Sequence, residues 1–240
     1  MTRRSVLRGI GVAAASVFAL FAYIYLTVPD VRGLRTTNPS TTAFMELRAR
    51  EARAKGQQPR RIQRWVSYRN ISPDLKRAVL VAEDSAFWQH DGVDYEQLQE
   101  SIEADWAKGQ FLRGGSTITQ QLAKNLYLSP SKNPLRKVRE LIIARRLEAE
   151  LKKARILELY LNLIEWGDGI YGAEAAARSY FQSSAGALGP SESALLAAAI
   201  INPRVYSPAK PTGRLLRRQQ LILRRMGIVT PPEESVLDRR

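Results

Sequence analysis

Two acidic residues at the end of an apolar helical segment are the first candidates for chemistry. Glu83 and Asp84 follow a stripe of apolar residues and precede Phe87 and Trp88. Loss of water beside aromatic rings raises the pKa of a carboxyl group toward the range in which it can exchange a proton with a substrate. Acids at the C-terminal end of a helix also oppose the helix dipole, so this placement has a cost. The alternative interpretation is a solvated turn at the end of a helix.

A glycine-rich segment that leads into a helix is the second candidate. Residues 114–125 have the sequence GGSTITQQLAKN, and Thr117 and Gln120 have the spacing of a capping box, which predicts a helix start at this point. Gln121 and Lys124 follow Thr117 at helical intervals, so these three side chains form a polar stripe on one face. Hydroxyl groups and free backbone N–H groups at a helix start can bind an anionic oxygen. The alternative is a capped surface helix without a ligand.

Two cations and an acid lie close together in a third segment. Arg136 and Lys137 come four and three residues before Glu140, so all three share one face of a helix. Two cations beside a carboxylate can hold a diphosphate, with or without a divalent metal. The alternative is an ion pair within one helix, worth about 0.3–0.5 kcal/mol. The spacing alone does not separate these two interpretations.

The composition excludes several classes of function. The chain has 240 residues, with 37 Lys and Arg against 23 Asp and Glu, no cysteine and one histidine. The lack of cysteine excludes disulfides, thiolate catalysis and cysteine zinc sites. The single histidine, His90, excludes any site that needs two imidazoles, and we expect it to make structural hydrogen bonds. The net charge of +14 predicts an anionic partner.

The beginning of the chain predicts a membrane anchor. Residues 9–28 carry no charge, and a helix of this length spans about 30 Å, the thickness of a bilayer core. Arg3, Arg4 and Arg8 precede this stretch, which favours a cytoplasmic N-terminus and an exported remainder. The length and the lack of a small-residue cleavage site favour a retained anchor over a cleaved signal peptide. An exported basic domain meets headgroups, diphosphates or an anionic wall polymer rather than nucleic acid.

The remainder of the chain has the periodicity of helices, with no alternating strand pattern longer than four residues. We therefore predict a mainly α protein. The predicted helices cover residues 73–84, 95–107, 134–162, 170–181, 191–201 and 215–226, besides the one that starts at residue 117 and a polar helix in the charged stretch 46–64. The predicted domains are a cytoplasmic tail at 1–8, the anchor at 9–28, a juxtamembrane connector at 29–64, a catalytic domain at 65–227 and a loose tail at 228–240.

Taken together, these segments resemble one protein family. They are Glu83–Gly92 (EDSAFWQHDG), residues 114–125, Arg136–Glu140 (RKVRE) and Ile156–Asn162 (ILELYLN), in this order. This series is similar to glycosyltransferase family 51, the peptidoglycan glycosyltransferase domain. Residues 191–225 resemble the last motif of that family.

The resemblance covers about residues 39–227 and includes the monofunctional biosynthetic transglycosylases of Gram-negative bacteria, because no transpeptidase domain follows. One departure is Asp168, where relatives often have proline, and it touches no catalytic position. The resemblance implies a lysozyme-like helical domain in the periplasm, held at the inner membrane by an anchor whose N-terminus is cytoplasmic. It also implies that lipid II is polymerised into glycan strands with release of undecaprenyl diphosphate.

The resemblance further implies a role for each candidate residue. Glu83 matches the general base that deprotonates the acceptor 4-hydroxyl, and Glu140 matches the second carboxylate, near the donor diphosphate. The reaction converts an α-linked diphosphate into a β-1,4 bond with inversion. A divalent cation, Mg or Mn, is implied at the diphosphate. The residues that match diphosphate-stabilising and cleft-lining positions are Lys124, Arg136, Lys137, Ser116, Gln121 and Asn125.

Two other functions remain open at this point. A lysozyme-like enzyme that cleaves glycan needs a protonated acid for a sugar leaving group and no cationic cluster. A non-enzymatic scaffold of the wall-synthesis or division machinery would tolerate replacement of Glu83. The expected partners are lipid II, the growing glycan strand, the inner membrane and other wall-synthesis or division proteins, but no nucleic acid. We also expect that removal of residues 1–28 leaves a folded but weaker enzyme.

Overall fold

The computed structural model describes residues 3–99, 115–129 and 134–227, and in these ranges the protein is mainly helical, as predicted. The helices are α1 (Arg3–Leu26), α2 (Ala43–Ala54), α3 (Pro73–Glu83), α4 (Ile118–Tyr127), α5 (Pro134–Glu150), α6 (Lys153–Leu163), α7 (Ala173–Phe181), α8 (Pro190–Ala199) and α9 (Gly213–Arg225). The strands are β1 (Ile62–Gln63), β2 (Glu165–Gly167) and β3 (Ile170–Tyr171). Residues 95–99 are also helical. The rest of the helix predicted at 95–107 and the predicted tail at 228–240 lie outside the described residues.

One hydrophobic core is shared by the helices that carry the candidate residues. Helix α3 begins as expected, because the Ser72 side chain accepts from the backbone N–H of Asp74 and Pro73 occupies the first turn. Its apolar stripe, which includes Leu75 and Val79, is fully buried. Helix α3 packs against α8, and α4 packs against both α5 and α6. The ends of α3 and α5 are therefore held by packed helices rather than by loops.

The long helix predicted at 134–162 is two helices. They separate at Lys152, which has an extended conformation with φ −66° and ψ 146°. Neither Leu151 nor Lys152 is glycine or proline, so the local sequence carries no stop signal. The buried Leu151 side chain belongs to the core, and tertiary packing therefore sets this break.

The small sheet was not predicted. Strand β1 pairs in parallel with β3, with Ile62 opposite Ile170, and β2 pairs with β3 in antiparallel fashion. Strands of two or three residues are too short to show an alternating pattern. At the turn between β2 and β3, Gly169 has φ +68°, and a Cβ atom there would lie 2.6 Å from the backbone oxygen of Arg60. Glycine is therefore required at this position.

The candidate anchor corresponds to α1. Within the described residues it is the one helix that is long and apolar enough to cross a membrane, with a mean hydropathy of 2.0 over Gly9–Leu26. Two residues near its end do not face lipid, because Ile24 is 2% exposed and Val28 is 7% exposed against the domain. The anchor is thus continuous with the folded domain.

The segment predicted as a connector, residues 29–64, is packed against the domain. Val31, Leu34 and Met45 all belong to the hydrophobic core, and α2 in this segment packs against α4. The hydrophobic core therefore includes residues on both sides of the boundary that we placed at residue 64. Local sequence could not show this, because the segment is rich in charged residues and its few apolar residues meet partners far away in the chain.

Truncation should distinguish the exposed part of α1 from the part that packs against the domain. Removal of residues 1–20 keeps Ile24 and Val28 and should leave the melting temperature unchanged. Removal of residues 1–28 also deletes two buried apolar side chains, which should cost roughly 3–6 kcal/mol of unfolding free energy. Thermal unfolding of both truncated proteins in the same detergent tests this. Equal melting temperatures would contradict it and support our expectation from sequence.

Candidate active site

Glu83, the last residue of α3, has a largely buried carboxylate, with 13% of its side chain exposed. Nε2 of Gln121 on α4 donates to Glu83 Oε2 at 2.8 Å. Nη2 of Arg218 on α9 lies 3.8 Å from Oε1. Burial raises the pKa of Glu83, and the hydrogen bond from Gln121 and the charge of Arg218 oppose this rise. A carboxylate with a raised pKa is suited to take a proton from a hydroxyl group.

The orientation of Gln121 is set by a buried tyrosine. Tyr160 on α6 is fully buried, and its hydroxyl donates to Gln121 Oε1 at 3.0 Å. Because the amide oxygen is thus occupied, the amide nitrogen is directed to Glu83. Burial raises the pKa of Tyr160 well above its ordinary value, so its hydroxyl remains a donor. This pair of hydrogen bonds positions the candidate base.

Asp84 is adjacent to Glu83 in sequence but has a structural role. It is 2% exposed, and its Oδ2 accepts from the backbone N–H of Ile118 at 2.9 Å, at the start of α4. Nδ1 of His90 accepts from the N–H of Gly92, so the proton of the ring is on Nε2, which lies 2.9 Å from Asp84 Oδ1. His90 is therefore a structural hydrogen-bonding residue, as predicted. The two acids of the pair have different tasks because they point in different directions.

Replacement of Asp84 should affect stability more than chemistry. In Asp84→Ala, a free N–H at the start of α4 and the ring N–H of His90 lose their acceptor, which should cost about 1–3 kcal/mol. Asp91→Ala is the matched control, because Asp91 is exposed and its loss should change stability by less than about 0.5 kcal/mol. Chemical denaturation measures both. Equal stabilities of the two variants would exclude the capping role.

Glu140 forms the centre of the cationic cluster, and it is 3% exposed. Arg136 Nη1 lies 2.8 Å from Glu140 Oε2, and Lys137 Nζ contacts Glu140 Oε1. Lys137 also donates to Gln120 Oε1 at 2.9 Å and to Ser116 Oγ at 3.3 Å. The predicted common face is therefore present, but the cluster joins α5 to α4 rather than remaining within one helix.

Lys124 connects the two groups of residues. Its ammonium group has neither a hydrogen bond nor an ion pair with any residue in the described ranges. Burial lowers the pKa of Lys124, as do the charges of Arg136 and Lys137, while Glu140 and Glu83 oppose this. Both carboxylates therefore lie within electrostatic reach of a cation that has no partner among the described residues. Such a cation is available to an anionic ligand.

Two polar residues of this segment, Asn125 and Thr117, make hydrogen bonds to the backbone. Asn125 is buried and donates from Nδ2 to the backbone oxygen of Gln121 at 2.8 Å, within its own helix. Thr117 caps α4 as predicted, since its hydroxyl accepts from the N–H of Gln120, and it also donates to the backbone oxygen of Gly92. The three residues of the predicted polar stripe therefore have different roles. Thr117 makes structural hydrogen bonds, whereas Gln121 and Lys124 lie at the candidate site.

The divalent cation that we expected at the diphosphate stays a prediction, and the described residues around Glu140 do not fit a cation on their own. Three cationic side chains lie near Glu140, namely Arg136, Lys137 and Lys124. Their positive charge repels a metal cation. The group whose possible ligand atoms come within 4.8 Å of one another is Asp84, His90 and Asp94. Both oxygens of Asp84 already have hydrogen-bonding partners, so this group does not offer the open oxygen ligands that Mg²⁺ prefers.

Sequence reasoning assigned no role to three residues of this site. Tyr160 lies within the motif Ile156–Asn162, between two leucines. These apolar neighbours in the sequence could have indicated that its hydroxyl group is buried. Gln120 had been interpreted only as part of a capping box. Arg218 gave no signal, because α9 contains several arginines and only the tertiary structure shows which one approaches Glu83.

The fold and the site define a class of protein: a mainly helical protein with a buried carboxylate, Glu83, near a cationic cluster that can hold an anionic group. The family model described as Transglycosylase matches residues 50–227, and the chain belongs to this glycosyltransferase family. It is 48% identical over 195 residues to the biosynthetic peptidoglycan transglycosylase of Dechloromonas aromatica (strain RCB), a match that covers 81% of this chain and 84% of that relative.

Another relative of the same name confirms that the similarity extends over nearly the whole chain. The biosynthetic peptidoglycan transglycosylase of Aromatoleum aromaticum (strain DSM 19018 / LMG 30748 / EbN1) is 47% identical over 231 residues, which are 95% of this chain and 100% of the relative. The family resemblance inferred from the motifs is therefore confirmed.

Proposed function

We propose that this protein is a membrane-anchored peptidoglycan glycosyltransferase that polymerises lipid II into glycan strands for the cell wall. The observation that carries this proposal is that a carboxylate with a raised pKa, Glu83, and the cations around Glu140 meet at the same helix, α4. The names of the relatives support peptidoglycan as the product.

In this reaction Glu83 removes the proton from the 4-hydroxyl group of the acceptor sugar. The oxygen attacks the anomeric carbon of the growing strand from the face opposite the diphosphate. A carbon–oxygen bond forms there while the bond to the diphosphate breaks and its electron pair leaves with the diphosphate, so the α linkage becomes a β-1,4 bond. The proton remains on Glu83 until it exchanges with water.

The cationic residues act on the leaving group. Lys124, Arg136 and Lys137 stabilise the negative charge that grows on the diphosphate as the bond breaks. Glu140 holds Arg136 and Lys137 in place through its two oxygens. A diphosphate leaves without protonation, so no general acid is needed. We include a Mg²⁺ or Mn²⁺ ion in the proposal only as a cofactor that arrives bound to the substrate. The polymerisation rate, measured during a titration with EDTA, tests whether such an ion is needed.

We further propose that the N-terminus is cytoplasmic and that the catalytic domain is periplasmic, at the inner membrane. The basic residues before the anchor support this orientation. A reporter that is active only in the cytoplasm, fused after Arg240, should give no signal. A strong cytoplasmic signal would contradict the orientation. Association with other wall-synthesis or division proteins also stays a proposal.

Neither alternative function uses the whole site. A glycan-cleaving enzyme has a neutral sugar as its leaving group. It therefore has no use for the cations Lys124, Arg136 and Lys137 near Glu140. A scaffold has no use for a carboxylate whose burial raises its pKa. An apolar residue at the same buried position would make the fold more stable.

One assay separates the three functions. The purified full chain is incubated with labelled lipid II in detergent and, separately, with intact sacculi. Polymer from lipid II, blocked by a transglycosylase inhibitor of the moenomycin type, supports the proposal. Soluble fragments from sacculi indicate the glycan-cleaving enzyme, and no change in either substrate indicates the scaffold.

A further inference from the structure

The end of the anchor helix is attached to the helix that carries the cationic cluster. Arg146 on α5 donates to the backbone oxygens of Val28 and Tyr25, at 3.0 and 2.7 Å, and its guanidinium lies 4.7 Å from the centre of the Tyr25 ring. Arg139 on α5 donates to Thr27 Oγ1 at 3.3 Å. The last carbonyl groups of a helix lack hydrogen-bond donors within the helix. At the end of α1, Arg146 of α5 is such a donor.

This attachment lies where the anchor leaves the membrane. The apolar stretch Gly9–Leu26 has 18 residues, which is about 27 Å of helix and close to the roughly 30 Å of a bilayer core. Thr27 and Val28 directly follow this stretch, so they lie at the level of the headgroups. The arginines that contact them, Arg139 and Arg146, therefore lie at the same level.

The cationic cluster is on the adjacent face of the same helix. Arg139 and Glu140 are consecutive residues, so they differ by about 1.5 Å along the helix axis. At about 100° per residue, the face of Arg139 and Arg146 lies roughly a quarter of a turn from the face of Arg136 and Glu140. The depth of the anchor end therefore sets the depth of the cluster.

We propose that Arg139 and Arg146 are positioning residues that lock the anchor to α5, so that the diphosphate-binding cations are held at the depth where a lipid substrate presents its diphosphate. This inference rests on the proposed function. A flexible tether would let the domain sample many heights above the bilayer, whereas a lipid-linked diphosphate stays near one depth. The burial of Ile24 and Val28 against the domain supports a rigid attachment.

The first test compares two substrates in the variant Arg139→Gln/Arg146→Gln. With lipid II in phospholipid vesicles, we expect the polymerisation rate to fall about tenfold or more, since a misplacement of about 1 Å can cost up to 10² in rate. With a water-soluble, short-chain lipid II analogue, the rate should stay within about twofold, because no membrane depth is involved. Arg145→Gln, which removes one positive charge from the position next to Arg146, is the control for loss of an arginine from α5 and should leave both rates unchanged.

The outcomes separate the inference from the proposed function. Equal losses on both substrates, together with a lower melting temperature, would show a merely structural role and overturn the inference. Unchanged rates on both substrates would also overturn it. If the wild-type chain polymerises neither substrate, the proposed function fails, and the second test still decides the inference.

The second test measures depth without activity. The chain has no cysteine, so a spin label can be placed at one site on α5 by Leu135→Cys. In vesicles, the label should lie at headgroup depth with a narrow distribution, and the distribution should broaden when Arg139 and Arg146 are replaced by Gln. A distribution that is broad before the replacement, or that does not change after it, would overturn the lock.

Discussion

Glu83→Gln should reduce the rate of lipid II polymerisation by about 10²–10⁴, the usual contribution of a general base. This corresponds to roughly 3–5 kcal/mol of transition-state stabilisation, at about 1.36 kcal/mol per tenfold change. Glutamine keeps the shape of the side chain and its contact with Gln121, but it cannot accept the proton. The rate is measured with labelled lipid II at saturating substrate, and binding of lipid II should be retained.

The pH profile and the stability of the same variant complete this prediction. Because burial raises the pKa of Glu83 above 4.5, the wild-type rate should rise with pH through a value above 4.5. The stability of the fold should change in the opposite direction to the rate and fall as the pH rises, because a raised pKa means that ionised Glu83 destabilises the fold. The Gln variant should therefore melt no lower than wild type at neutral pH. Glu46→Gln, at an exposed position on α2, is the control with full activity. Full activity in Glu83→Gln would exclude the general-base role.

Lys124→Met should lower turnover by about 10²–10³, in the range measured when one preorganised donor to a developing charge is removed. The loss should appear in kcat more than in KM, because the diphosphate gains charge mainly in the transition state. The variant should melt at the same or a higher temperature, since it removes a buried ammonium group without a partner in the described ranges. Steady-state kinetics and thermal unfolding measure the two effects.

Lys153→Met is the matched control for Lys124→Met. Lys153 is also largely buried, but its ammonium group lies 2.8 Å from Glu148 Oε1, and Glu148 also accepts from the Thr119 hydroxyl. Removal of Lys153 leaves a buried carboxylate without its cation, so the melting temperature should fall while the rate per folded molecule is kept. Parallel losses of turnover and stability in both lysine variants would contradict the distinct role of Lys124.

Local sequence was sufficient for elements whose signals are contained in one segment. The apolar stretch of the anchor, the capped starts of α3 and α4, and the common face of Arg136, Lys137 and Glu140 were all predicted correctly. Each depends on helical periodicity or on a side chain that reaches only three or four residues along the chain. The motif order was also sufficient to indicate the family, which the comparisons confirmed.

Tertiary structure decided everything that depends on residues distant in the chain. It distinguished the role of Asp84 from that of Glu83, because only the positions of Ile118 and His90 show that Asp84 is a structural hydrogen-bond acceptor. It selected Arg218 among the arginines of α9. It also divided the predicted long helix at Lys152 and attached the anchor to α5. Periodicity tells which face of a helix is apolar, but burial, pKa and orientation depend on what the neighbouring helices place against that face. Those neighbours can be distant in sequence, since Arg218 lies 135 residues after Glu83.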